Sequence, residues 1–197
     1  MRAVFGLGNP GPRYADTRHN AGFRVIDTLR GRWRAAQDAD APEYRAWRAR
    51  RGEADVALVQ PFTFMNRSGE ALEAWRGRHE LEPQELLVVV DDVYLPVGSL
   101  RMRTEGSSGG HHGLESIERT LPGPGFARLR VGVGAARDAA ELREHVLEGF
   151  ADEAERDAFE AAVERAALAV ESWLDEGILA AMNRFNRSIG VEEETQS

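Results

Sequence analysis

The 197-residue chain has no cysteine, no lysine and no apolar run long enough to cross a bilayer. Without cysteine there is no disulfide, no thiolate metal site and no thiol nucleophile. All 25 basic residues are arginines, so no amine is available as a base or Schiff-base former. Apolar runs such as Leu86 to Val90 fall far short of the roughly 20 residues that span a membrane. Met1-Arg2-Ala3 leads into a strand rather than a signal peptide, so a cytoplasmic protein with no membrane contact is the simplest reading. The net charge of −8 argues against a protein that binds nucleic acid merely by being basic. That charge is uneven: residues 1–135 carry 19 Arg against 17 acids, and residues 136–197 carry 6 against 16. The acidity therefore belongs to the C-terminal part, and the remainder is slightly basic.

What is present concentrates between Gly6 and Gly22. Ala3-Val4-Phe5 before it reads as a buried strand. After it, Phe23, Ile26, Leu29 and Trp33 recur at the spacing of one helix face. The loop between is rich in glycine and proline and holds Asn9, Tyr14, His19 and Asn20, groups that hydrogen-bond or move protons. α/β enzymes commonly build sites on such loops at strand ends. Further along, Arg45 to Arg50 and Ala54 to Gln60 read as strands joined near Arg51-Gly52. Ser68 reads as the cap of a helix running to about His79. Leu86 to Val90 reads as a central, doubly covered strand ending in Asp91-Asp92. Leu100 to Arg103 is a short strand, and the Gly/Ser loop 104–110 after it is expected to be mobile. A helix follows from His112 to Thr120, then a tight connection over Pro122 to Gly125 and a strand over Ala127 to Val133. Helices are expected over about Ala151 to Asp175 and Ile178 to Arg187. The fold class is α/β: a single domain over 1–190 with a twisted mixed β-sheet covered by helices on both faces. The acidic tail 191–197 is expected to be disordered.

Gly6-x-Gly8-x-x-Gly11 has the spacing of a dinucleotide fingerprint, with Asp27 placed for a ribose contact. Pro10 and Pro12 remove backbone donors there, however, and the helix begins well after Gly11, so no helix N-terminus faces a phosphate. His19 is the best proton carrier. Asp91 or Asp92 can orient it and stabilise its protonated form, although an acid at a strand end also serves as a turn or cap. Asn66 places an amide at the edge of an apolar pocket. His111-His112 beside the two aspartates suggests a metal, but they are loop neighbours with no third ligand close in sequence, and neither metal nor cofactor is expected. Ser107 and Ser108 lack a nucleophile elbow. One histidine, one or two aspartates and several amides suit a base-activated water attacking an ester or similar acyl bond.

Gly6 to Gly11, with Tyr14 and Thr17-Arg18-His19-Asn20-Ala21-Gly22, resembles the N-terminal signature of bacterial peptidyl-tRNA hydrolases. Pro61 to Gly69 resembles their second motif and Val90-Asp91-Asp92 through Leu95-Pro96 and Gly98 the third. Gly109 to Leu114 with Ser116-Ile117 resembles the fourth, and Phe126 to Gly134 and Gly177 to Phe185 are similar too. The resemblance implies a monomeric, metal-free esterase. It would cleave the bond between a peptide, or N-blocked aminoacyl group, and the 3′ end of tRNA, recycling tRNA from stalled synthesis. It implies that His19 activates water and Asp91 orients it, with Asp92 as the neighbour. Asn9 and Asn66 would bind the peptide and scissile ester and help stabilise the tetrahedral intermediate. Tyr14 and Met65 would shape the pocket, and His111 and His112 would contact substrate. Arg101, Arg103 and Arg130 lie where the family has basic residues facing tRNA phosphates.

Two positions depart from the family. His112 stands where it usually has Asn; histidine offers one donor and one acceptor in a different geometry and charges near neutral pH, so a more pH-sensitive activity is expected. Tyr94 replaces an acid, with no consequence predicted. A non-catalytic RNA- or protein-binding member of the same fold, as among organellar splicing factors, is the alternative. The retained His19, Asp91, Asn9 and Asn66 favour the enzyme.

Overall fold

A computed structural model of the chain describes residues 1–38, 40–121, 125–134, 142–150 and 152–186. Its first half runs β1 (Arg2–Gly6), α1 (Ala21–Trp33), β2 (Ala36–Gln37), β3 (Tyr44–Arg51), β4 (Ala54–Pro61) and α2 (Ser68–Arg76). The second runs β5 (Leu86–Asp92), β6 (Leu100–Arg103), α3 (His112–Thr120), β7 (Ala127–Gly132), α4 (Leu142–Leu147), α5 (Glu153–Glu176) and α6 (Ile178–Phe185). The strands form one sheet in the order β2-β3-β4-β1-β5-β7-β6. Four central strands, β4, β1, β5 and β7, are parallel, and β3, β2 and β6 join antiparallel at the flanks. The mixed sheet read from the sequence is the one observed.

Period-two alternation sorts the apolar residues into two layers. Val4, Leu58, Leu87, Val89, Leu129 and Val131 face α1, α5 and α6. Ala3, Phe5, Val59, Leu86, Val88 and Val90 face α2 and α3. β5 is buried along its whole length, which is why it reads as a continuous hydrophobic run. The same alternation continues into its two aspartates: Asp91 shares the side of Leu87 and Val89, and Asp92 that of Val88 and Val90. In α5, the stripe Phe159, Val163, Ala166, Val170 and Trp173 is buried as its spacing requires, and Asp152 caps the helix by accepting from Ala154 N–H at 3.0 Å.

The glycines of the first motif serve packing. A Cβ on Gly6 would run into the backbone oxygen of Gly22, and one on Gly22 into the backbone of Leu7 and Val89. Only with both absent does the N-terminus of α1 lie directly on β1 and β5. At the far edge of the sheet, the Asn186 side chain accepts from Met102 N–H at 2.6 Å and donates to Met102 C=O at 3.0 Å, pairing with β6 as another strand would.

Several expectations need correction. Ser68 is the first residue of α2 rather than its cap; its hydroxyl donates backward to the Met65 carbonyl at 2.8 Å. α2 ends at Arg76, short of His79. The edge strand β2 and the short helix α4 lacked a sequence signal. Pro122 to Pro124, Arg187 and the tail 191–197 lie outside the described residues.

Candidate active site

The carboxyl ends of β1, β4 and β5 surround a cavity of about 770 Å³. His19 enters it from a 3₁₀ turn, Arg18–Asn20, that leads directly into α1. Its two neighbours hold it. Arg18 points away from the cavity: its guanidinium lies 4.4 Å from the Phe150 ring centroid, Nη1 donates to Gly149 O at 2.6 Å, and Nη2 reaches Glu155 at 3.3 Å. Asn20 clasps the other side of the loop, accepting from Asn9 N–H at 2.7 Å and donating to Asn9 C=O at 3.0 Å. The Asn9 side-chain oxygen accepts from Met65 N–H at 2.9 Å, joining the first motif to the second. With that oxygen engaged, the Asn9 amide nitrogen is the group left to face the cavity.

At the centre, Asp91 Oδ1 lies 2.8 Å from His19 Nδ1 and 3.0 Å from His111 Nε2. His111 is the cap of α3: its Nδ1 accepts from the backbone N–H groups of Gly113 and Leu114 at 3.1 and 3.3 Å. A backbone N–H can only donate, so His111 Nδ1 carries no proton and Nε2–H donates to Asp91. By the same reasoning His19 donates Nδ1–H to the carboxylate, and its Nε2 lone pair is free to act as a base. Burial alone would raise the Asp91 pKa, but the charge and hydrogen bonds of the two histidines override it and hold the carboxyl far below the usual range. Burial lowers His19, and Asp91, by charge and by hydrogen bond, reverses this, leaving the imidazole more basic than an ordinary histidine.

Asp92, on the other face, accepts from Tyr94 N–H at 2.8 Å and from Arg130 Nη1 at 3.2 Å. It is the turn-forming member of the pair. Arg130 also donates to the carbonyls of Ser107 and Ser108, and Arg128 to those of Gly106 and Ser107, with Glu118 as its counter-ion at 2.9 Å. The Gly/Ser loop is therefore gripped by two arginines from β7, and much of the Arg130 guanidinium is engaged there. Arg101 and Arg103 stand exposed on β6, opposite Arg130 and Arg128 in register.

The remaining candidates line the cavity. Met65 is buried in its wall, Tyr14 is half-buried, and Asn66 is exposed at its edge. His112, 75% exposed, is at the rim, with Nδ1 3.2 Å from Glu115 rather than turned to Asp91. The structure supplies the third donor absent from the sequence neighbourhood: His19, Asp91 and His111 bring ligand atoms within 4.8 Å of one another. Their hydrogen bonds work against a cation. A metal on His111 Nε2 would move the proton to Nδ1, directly against two backbone N–H groups. The capping role of His111 and the bracing by Asn20 and Arg18 were not read from the sequence. A histidine immediately before an amphipathic helix was the available signal for the first.

The sequence model of the peptidyl-tRNA hydrolase family matches residues 3–194. Peptidyl-tRNA hydrolase of Rubrobacter xylanophilus is 47% identical over 185 residues, covering 92% of this chain and 98% of the relative. The enzyme of Salinibacter ruber is 44% identical over 183 residues, covering 93% and 96%. The crystal structure of peptidyl-tRNA hydrolase from Acinetobacter baumannii superposes with a TM-score of 0.88 at 33% identity, covering 94% of each chain. With the family model matched over residues 3–194 and a relative 47% identical along nearly its whole length, the chain belongs to the peptidyl-tRNA hydrolase family.

Proposed function

We propose that this enzyme hydrolyses peptidyl-tRNA through water activated by His19, and that it acts as a cytoplasmic monomer. The hydrogen bond from His19 Nδ1 to the buried Asp91 carries the reading, because it leaves Nε2 bare toward the cavity. Nε2 removes a proton from water as the water oxygen bonds to the ester carbonyl carbon. The imidazolium formed is stabilised by the adjacent carboxylate. The oxyanion receives hydrogen bonds from amide donors, Asn9 Nδ2 first and Asn66 at the edge. Collapse breaks the bond to the ribose 3′ oxygen, which takes the proton back from His19, and free peptide and tRNA result. Tyr14 and Met65 shape the peptide side of the cavity. Arg101 and Arg103, with the part of Arg130 not held by the loop, meet phosphates. His112 and His111 stand at the mouth and the floor, and His112 offers a donor where the family resemblance implies one from Asn. Among the described residues, no helix is long and apolar enough to cross a membrane.

The test is release of peptide from N-acetyl-aminoacyl-tRNA in EDTA. Wild type is expected to release peptide and His19→Ala to lose nearly all activity; a folded His19→Ala that keeps the wild-type rate would overturn the assignment of the base.

A further inference from the structure

Among the described residues, four large hydrophobic side chains are exposed: Phe64, Tyr94, Leu168 and Leu179. Single exposed apolar side chains are ordinary. Here, however, the leucines lie on α5 and α6, while both aromatics line the one cavity that holds His19. Tyr94 is the more exposed of the two, at 73%. Its backbone is anchored: its N–H donates to Asp92 Oδ1 at 2.8 Å, and Leu95 N–H reaches Asp92 O at 3.4 Å across the same turn. Its phenol has no hydrogen-bond partner among the described residues. A short turn just beyond Asp91 thus holds a bare aromatic ring at the cavity mouth.

The charge around that ring says what it meets. Tyr94 lies on the connection from β5 to β6. Arg130, bonded to Asp92, is on the neighbouring strand β7. Arg101 and Arg103 follow on β6, exposed, with no acid at ion-pair distance among the described residues. Phe64 and Asn66 are at the end of β4, two strand spacings away across β1, about 10 Å. Arg130, Arg101 and Arg103 are therefore on the Tyr94 side, whereas Arg67, beside Asn66 on the other edge, is paired with Glu70 at 2.6 Å. A single-stranded 3′ end brings phosphates and unpaired bases together, and proteins hold such strands with cationic grooves and aromatic stacking platforms.

We propose that Tyr94 stacks on an unpaired base of the tRNA 3′ end. It adds affinity for the nucleic-acid half of the substrate and takes no part in proton transfer. This rests on peptidyl-tRNA being the substrate.

Steady-state hydrolysis of N-acetyl-aminoacyl-tRNA by wild type, Tyr94→Ala and Tyr94→Trp tests it, with the trinucleotide CpCpA as competitor. Truncation to alanine is expected to raise KM by about 5- to 150-fold, with kcat within about twofold, as expected for lost ground-state binding. Tryptophan is expected to keep the wild-type KM. CpCpA should inhibit wild type more strongly than Tyr94→Ala and shift the Tyr94 ring protons upfield. Unchanged KM and unchanged CpCpA inhibition in Tyr94→Ala overturn the proposal. A KM effect that appears only with aromatic aminoacyl groups also overturns it and assigns the ring to the peptide. A wild type that releases no peptide overturns the hydrolytic reading instead, and CpCpA binding by wild type but not by Tyr94→Ala still decides the role of the ring.

Discussion

Asp91→Asn isolates the charge beneath the base. The asparagine is nearly isosteric, so the cavity wall is expected to stay intact. If its amide oxygen replaces Oδ1, both histidines keep an acceptor but the buried negative charge is gone. If its nitrogen faces His19 instead, the imidazole turns to the other tautomer and Nε2 is no longer a base. Loss of the carboxylate under a histidine base costs about 10⁴-fold in a serine protease, where the wrong tautomer results. Charge loss alone is the smaller effect, so kcat is expected to fall by about 10²- to 10⁴-fold, or about 2.7–5.5 kcal/mol of barrier. The pH profile carries the sharper signal. Activity requires neutral His19, so the rate rises with pH through its pKa. In wild type that pKa is raised by Asp91, so the acid limb lies above the ordinary histidine value of about 6.5. Without Asp91 only burial acts on His19, and burial lowers it, so the limb is expected to move below that value. Initial rates of peptide release between acid and mildly basic pH, corrected for spontaneous ester hydrolysis, give both quantities. An unchanged limb, or a kcat within a few-fold of wild type, would refute the coupling of His19 to Asp91.

Two other substitutions separate support from chemistry. His111→Ala removes both the α3 cap and the second donor to Asp91, whereas His111→Asn keeps a capping oxygen. Alanine is expected to cost about 1 kcal/mol more than asparagine in thermal or urea unfolding. Both should shift the acid limb upward, since Asp91 would then serve His19 alone; equal stability and an unmoved limb in both variants would remove His111 from the network. Arg18→Ala strips a buried guanidinium from Phe150 and leaves the Gly149 carbonyl unpaired, a loss of about 2–3 kcal/mol. Calorimetry should show it as a fall in Tm of about 4–12 °C, with a lower kcat because the turn bearing His19 loosens; an unchanged Tm would show that the contact carries no stability.

The architecture was legible because its signals are local. The run Leu86 to Val90, the helix face from Phe23 to Trp33 and the stripe along α5 each announce their burial by composition and period. β2, at two residues, is shorter than any period can mark. The identity of the carboxylate partner was not legible in the same way. Asp91 and Asp92 are adjacent and chemically alike, and alternation sends them to opposite faces. Choosing between them needed the face on which α1 lies, and that depends on the close approach of Gly6 and Gly22. Arg130 marks a similar limit: the family resemblance implies a phosphate contact, but its grip on Asp92 and on the Ser107 and Ser108 carbonyls follows only from the path of the loop. The hold of Arg128 and Arg130 on the 104–110 loop was not read from the sequence for the same reason.

The pairing of Asn186 with Met102 bears on how the molecule behaves in a crowd. An edge strand offers unpaired amides and carbonyls to any other extended chain, a standing invitation to aggregate. A side-chain amide carries the same donor and acceptor as a peptide unit, and here it fills both positions at the middle of β6. Stacking of this enzyme edge to edge, including on crowded nascent chains, is thereby obstructed, while Arg101 and Arg103 on either side of Met102 remain open to solvent.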